Sequence, residues 1–129
     1  MENHVNILVA NDDPQMAETI RTPLQEAGHA CTVVTDRAEA FNEAGSGRYD
    51  VIVTALQFGD QDGMPVLQTA RRADPNCQVI VVTPRSSAQE AVAAMAEGAL
   101  TYLQMPLNPV ELGAVVDRAA ESVFRPCSE

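Results

Sequence analysis

Five short runs, four of them rich in β-branched residues and each followed by a stretch with helical spacing, decide which architectures are open to this chain. The runs are Val5 to Ala10, Ala30 to Thr35, Val51 to Ala55, Val79 to Thr83 and Leu100 to Leu103. The first and third are almost continuously apolar, as strands covered on both faces are, and each ends in turn formers. Helices are predicted between them. From Pro14, the residues Met16, Ile20, Leu24 and Ala27 recur every three or four positions before Gly28, with Asp13 as cap and Pro14 in the first turn. Pro23 conflicts with this pattern: it removes an internal hydrogen bond and predicts a kink or a loose last turn, costing about 3 kcal/mol if unrelieved. Asp36 and Glu39 form a capping box for a helix through Ala44, closed by Gly45-Ser46-Gly47. Pro65 to Ala73 and the alanine-rich Ser87 to Glu97 follow. The last helix combines Asn108 as cap, Pro109 and Glu111, and runs to about Phe124.

Strands that alternate with helices make βαβ units, which build a parallel sheet covered on both faces through right-handed crossovers. In such open sheets function gathers beyond the carboxyl ends of the strands. Here those ends carry Asn11 and Asp12, Ala55 with the Gly/Asp-rich loop from Gln57 to Gly63, Thr83, and Met105-Pro106. We read 129 residues, 46% of them apolar, as one domain spanning 1–129. Eighteen acidic against eight basic residues give a net charge of -10, which opposes binding to nucleic acid or to an anionic membrane. No apolar run reaches membrane-spanning length and no signal sequence is evident, so a cytoplasmic protein is expected. Cys31, Cys77 and Cys127 are far apart and lack zinc spacing, which predicts reduced and mostly buried thiols.

At the strand ends the residues resemble the receiver domain of two-component response regulators, the CheY-like family. Ile7-Leu8-Val9-Ala10-Asn11-Asp12-Asp13-Pro14 resembles that family's first strand and acidic pair, and Tyr49 to Ala55 followed by Asp60-Gln61-Asp62-Gly63 resembles the strand and loop around its phosphorylated aspartate. Val79 to Thr83 is similar to the strand that ends in the switch hydroxyl. Glu97 to Leu107 is similar to the segment with the switch aromatic, here Tyr102, and the Lys-Pro pair. The resemblance implies a flavodoxin-like, doubly wound α/β fold: a five-stranded parallel sheet in the order 2-1-3-4-5 with five helices.

In that family an aspartate attacks a phosphodonor, Mg²⁺ bridges it to the acidic pair, and a lysine holds the phosphoryl oxygens. Each part has a physical role. The carboxylate is the nucleophile, the metal neutralises charge in transfer, and the ammonium stabilises the anionic product. Carried over by the resemblance, the acid pair becomes Asn11 and Asp12, the acceptor Ala55, the hydroxyl Thr83 and the lysine Met105. A methyl group cannot form an acyl phosphate, so no catalytic residue and no resident cofactor are expected. Mg²⁺ binding is expected to be weak or absent, because Asp12 keeps the only carboxylate of the set. The departures at Asn11, Ala55 and Met105 are consistent with one another, since loss of the acceptor removes the need for lysine and metal.

The implied protein is a pseudo-receiver rather than an enzyme. It would work in signal transduction by phosphorylation-independent contacts with signalling partners, a histidine kinase or a downstream output domain. The family's output and dimerisation surface would lie on the fourth helix, fifth strand and fifth helix, with Ala88, Val92, Met95, Tyr102 and Val115 at or near it. Thr83-Pro84 through Pro106-Leu107 looks most like receivers attached to enhancer-binding transcription regulators, so the alternative is the N-terminal, phosphoaccepting module of a longer regulator with its acceptor replaced by Ala55. A flavin-binding electron carrier shares the fold class, but Asn11-Asp12-Asp13-Pro14 is anionic and unlike a phosphate loop.

Asp13 is a helix cap. Asp60 and Asp62 are turn formers rather than substitute acceptors. Tyr102 is either a rotameric switch or a half-buried tyrosine with a satisfied hydroxyl. His4 and His29 are expected at the surface. The peptide bond before Pro106 is expected to be cis, as the resemblance implies.

Overall fold

The computed structural model describes residues 5–58, 61–74, 76–83, 88–104 and 108–124. Five parallel strands form one sheet: β1 (Asn6–Ala10), β2 (Ala30–Val34), β3 (Val51–Ala55), β4 (Gln78–Thr83) and β5 (Thr101–Gln104). Their spatial order is β2-β1-β3-β4-β5, which is the flavodoxin-like arrangement. The helices are α1 (Pro14–Glu26), α2 (Arg37–Ala44), α3 (Met64–Ala73), α4 (Ala88–Ala96) and α5 (Pro109–Phe124).

The central strand β3 is buried along its whole length, as expected of a strand with helices on both faces. Its side chains alternate between two cores. Ile52 faces Leu8, Val79, Val81, Val66 and Leu67 on one side. Val51 and Val53 face Ile7, Val9, Ile80, Leu112 and Val116 on the other. The register Ile7↔Val51 and Val53↔Ile80 brings the strands' carboxyl ends to one edge of the sheet.

Caps explain where the helices begin. Asp13 accepts from the Gln15 N–H at 3.0 Å, Asp36 from the Glu39 N–H at 3.3 Å, and Asn108 from the Val110 N–H at 2.8 Å. At the far end of α1, the Gly28 N–H reaches the Gln25 carbonyl and the His29 N–H reaches the Leu24 carbonyl, with Gly28 at φ 101°. This is a Schellman closure, and the left-handed backbone at its centre favours glycine.

Three expectations change. Pro23 neither ends α1 early nor leaves a loose turn, for the helix continues to Glu26. Leu24 is fully buried and its carbonyl is bonded by the Schellman turn, so packing and capping hold the segment that lost a hydrogen bond. His29 is not at the surface. It is buried, and its Nδ1 accepts the Val5 N–H at 3.2 Å, fastening the entry of β1 to the corner between α1 and β2. The stretch after Ala55 is more than a loop: Gln57–Phe58 and Gln61–Asp62 pair as a two-residue antiparallel ladder.

Tyr49 enters β3 from a polar cluster. Its hydroxyl donates to Glu43 Oε1 at 2.7 Å, and Arg48 Nη2 reaches the same oxygen at 2.7 Å. Burial pushes the Tyr49 hydroxyl above its ordinary pKa. Of the cysteines, Cys77 is buried and Cys31 half-buried, both free thiols; burial is the main cause that lifts Cys77 to about 12 and makes it inert. His4 and Cys127 lie outside the described residues.

Candidate functional site

The strand register sets the site. Ala10 lies opposite Thr54, so Asn11 follows β1 at the level of Ala55 on β3. Ala55 in turn lies opposite Val82, which puts Thr83 one step beyond it on β4. Asn11, Ala55 and Thr83 therefore share the carboxyl edge of three adjacent strands. All three are buried. Asp12 is exposed beside them. Met105 and Asp60 lie outside the described residues, as does Pro106.

Asn11 is built into the backbone. Its Oδ1 accepts the Asp13 N–H at 3.0 Å and its own N–H donates to the Val34 carbonyl at 3.1 Å. This Asx turn swings the chain from β1 into α1, which gives the amide a structural task. Asp13 caps α1, as its sequence position suggested. Ala55 adds no polar atom to the edge beyond its carbonyl, which accepts the Thr54 hydroxyl at 3.0 Å. Among the described residues the oxygen-bearing side chains at this edge are the Asn11 amide, the Thr83 hydroxyl and the exposed Asp12 carboxylate. Among the described residues no group of three His, Cys, Asp or Glu side chains is placed to hold a metal ion. Mg²⁺ binds through several oxygen ligands with carboxylate charge, and Asp12 is the one carboxylate among the described residues named at this edge.

The segment after Ala55 is pinned close to the sheet. Phe58 turns inward and is 4% exposed, in the same core cluster as Leu56, Tyr49 and Val66. The Gly63 N–H donates to the Leu56 carbonyl at 2.8 Å, and Asp62 Oδ1 accepts the Met64 N–H at 3.0 Å at the entry to α3. Asp62 is therefore a turn former, as expected of an acidic residue in this loop. A Cβ on Gly63 would lie 2.8 Å from the Ala55 carbonyl oxygen and 2.9 Å from the Leu56 carbonyl carbon, both backbone atoms that cannot rotate away. Gly63→Ala is accordingly expected to destabilise the domain by about 1–3 kcal/mol in urea unfolding; an unchanged midpoint would contradict this close approach.

Arg37 was not singled out from sequence, although it reaches this segment. From the first turn of α2 its Nη1 donates to the Asp62 carbonyl at 3.1 Å. No local pattern could have shown it, because the partner lies 25 residues away. Tyr102 is half-buried against the core, its hydroxyl 3.5 Å from Glu90 Oε1. On α4, Ala88, Val92 and Met95 are exposed, while Val115 on α5 is half-buried. Val92 is 69% and Met95 47% exposed, large apolar side chains left outside the core.

A five-stranded parallel sheet in this order, with its polar residues at the carboxyl edge, defines a CheY-like fold. A family model described as response regulator receiver domain matches residues 7–117, and the chain belongs to that family. It is 30% identical over 113 residues to the DNA-binding transcriptional regulator NtrC of Escherichia coli (strain K12), covering 88% of this chain and 24% of that protein. It is 33% identical over 110 residues to the transcriptional regulatory protein TcrA of Mycobacterium tuberculosis, covering 85% of this chain and 44% of the relative. The chain thus spans about a quarter of the NtrC length and under half of TcrA. Among solved structures, the receiver domain of the Francisella response regulator 1452 superposes with a TM-score of 0.80 at 30% identity, over 92% of this chain and 98% of that one.

Proposed function

We propose that this receiver domain signals without accepting a phosphoryl group. One observation carries the reading: the residue at the carboxyl end of the buried central strand, level with Asn11 and one step from Thr83, is Ala55. A receiver's transfer step needs a nucleophile there, and a methyl group has no lone pair to offer. Its neighbours support the same reading. Asn11 brings no charge and is occupied in an Asx turn, and Met105 supplies no ammonium. Mg²⁺ binding is weak or absent, and the domain is a binding module rather than an enzyme.

Its output is contact with other signalling proteins in the cytoplasm, a histidine kinase or a downstream output domain, with no role for nucleic acid or membrane in these residues. Among the described residues no helix is long and apolar enough to cross a membrane. The surface formed by α4, β5 and α5 carries the contact, including self-association; Val92 and Met95, three residues apart and so adjacent on one face of α4, support this as exposed large apolar side chains. NtrC and TcrA carry transcriptional-regulator names, and we propose a regulatory role of that kind for the longer protein to which such a module belongs.

Intact-mass measurement after incubation with acetyl phosphate and Mg²⁺ tests the reading. The mass is expected to stay unchanged under conditions that label an ordinary receiver domain. A stoichiometric phosphoryl adduct would overturn it and revive a phosphoaccepting module.

A further inference from the structure

Besides the burial of Phe58, the hydrogen bonds that restrain the segment after Ala55 are mostly local: the Gln57↔Asp62 and Phe58↔Gln61 ladder, the Gly63 to Leu56 bond and the Asp62 turn. The bond from Arg37 is different, because it is a hydrogen bond from another element. Arg37 follows the N-cap Asp36 directly, so its Cα is fixed by the helix start. Its guanidinium spans from α2 to the backbone of the residue just before Gly63, and Gly63 lies against the Ala55 carbonyl. We propose that Arg37 is a strap that couples the position of α2 to the backbone at Asp62 and Gly63, which lies against the Ala55 carbonyl. A charged donor binds a carbonyl more strongly than a neutral one, and guanidinium offers several donors that keep the contact through small shifts of the stem. When α2 is held, the Asp62 carbonyl is held; a contact on α2 that draws the guanidinium away frees the segment directly downstream of Ala55. The coupling does not depend on whether the Ala55 edge takes a phosphoryl group.

Amide hydrogen exchange on the full chain, followed by NMR, tests the strap. In Arg37→Met, which keeps the apolar stem and removes the donors, the Gly63 and Met64 amides are expected to exchange about fivefold faster, the opening constant that one ordinary hydrogen bond controls. The Ala40 amide, bonded to the Asp36 carbonyl within α2, is expected to keep its rate. Arg37→Lys is expected to restore part of the protection. Unchanged exchange at Gly63 and Met64 would overturn the strap, and so would acceleration there that appears only together with Ala40, because α2 itself would then be the cause.

Discussion

Placing a carboxylate on the central strand by Ala55→Asp alone yields a domain that still fails to take phosphate from acetyl phosphate and is less stable than the parent. Ala55 is buried, it shares its edge with the neutral Asn11 and Thr83, and the acidic Asp12 follows Asn11 directly in the chain. Desolvation and a like charge both raise the pKa of an aspartate introduced there. Its folded state then binds a proton more tightly than the unfolded chain does, so stability falls as pH rises above about 4, the ordinary aspartate value. A loss of about 1–3 kcal/mol at pH 7, smaller at pH 5, is expected in urea unfolding. The triple change Asn11→Asp, Ala55→Asp and Met105→Lys restores the acidic pair, the nucleophile and the cation together. It is expected to gain an acid-labile phosphoryl group about a hundredfold or more faster than the single variant, since the charged partners act on the transition state. Equal labelling of the two variants would show that the losses at Asn11 and Met105 are irrelevant to chemistry.

The second large effect is structural. Phe58→Ala removes a ring that is 4% exposed and belongs to the core cluster of Leu56, Tyr49 and Val66. The expected loss is about 3–5 kcal/mol, equivalent to a Tm lower by about 10 °C or more. Because the ring anchors the two-residue ladder, protection of the Gly63 amide should fall as well. A loss below about 1 kcal/mol would mean that the ladder, and not the buried ring, holds this segment.

Much of the scaffold was legible because its signals are local. Val51 to Ala55 is bounded by its own β-branched run, and Asp36 and Asn108 announce their helices through side chains that bond amides two or three residues on. What escaped the sequence depends on distant partners. His29 sits in a turn, where a polar side chain is ordinarily solvated, yet a backbone amide 24 residues away gives its ring a buried acceptor role. The ladder after Ala55 is too short for any period-two pattern and exists because Phe58 finds room in the core. Pro23 was read as a break on local grounds, whereas burial of Leu24 behind it outweighs one missing bond. At the site, Asn11 was legible as a departure from the family's acid, but its Asx turn was not.

The register Ile7↔Val51 joins residues separated by an intervening strand and two helices. Because β1 sits between β2 and β3, its two edges are completed by segments that arrive at different times as the chain emerges, and no pair in the sheet is a hairpin. Loop-closure entropy is therefore spent before any ladder repays it, which slows folding relative to a helical bundle of the same size.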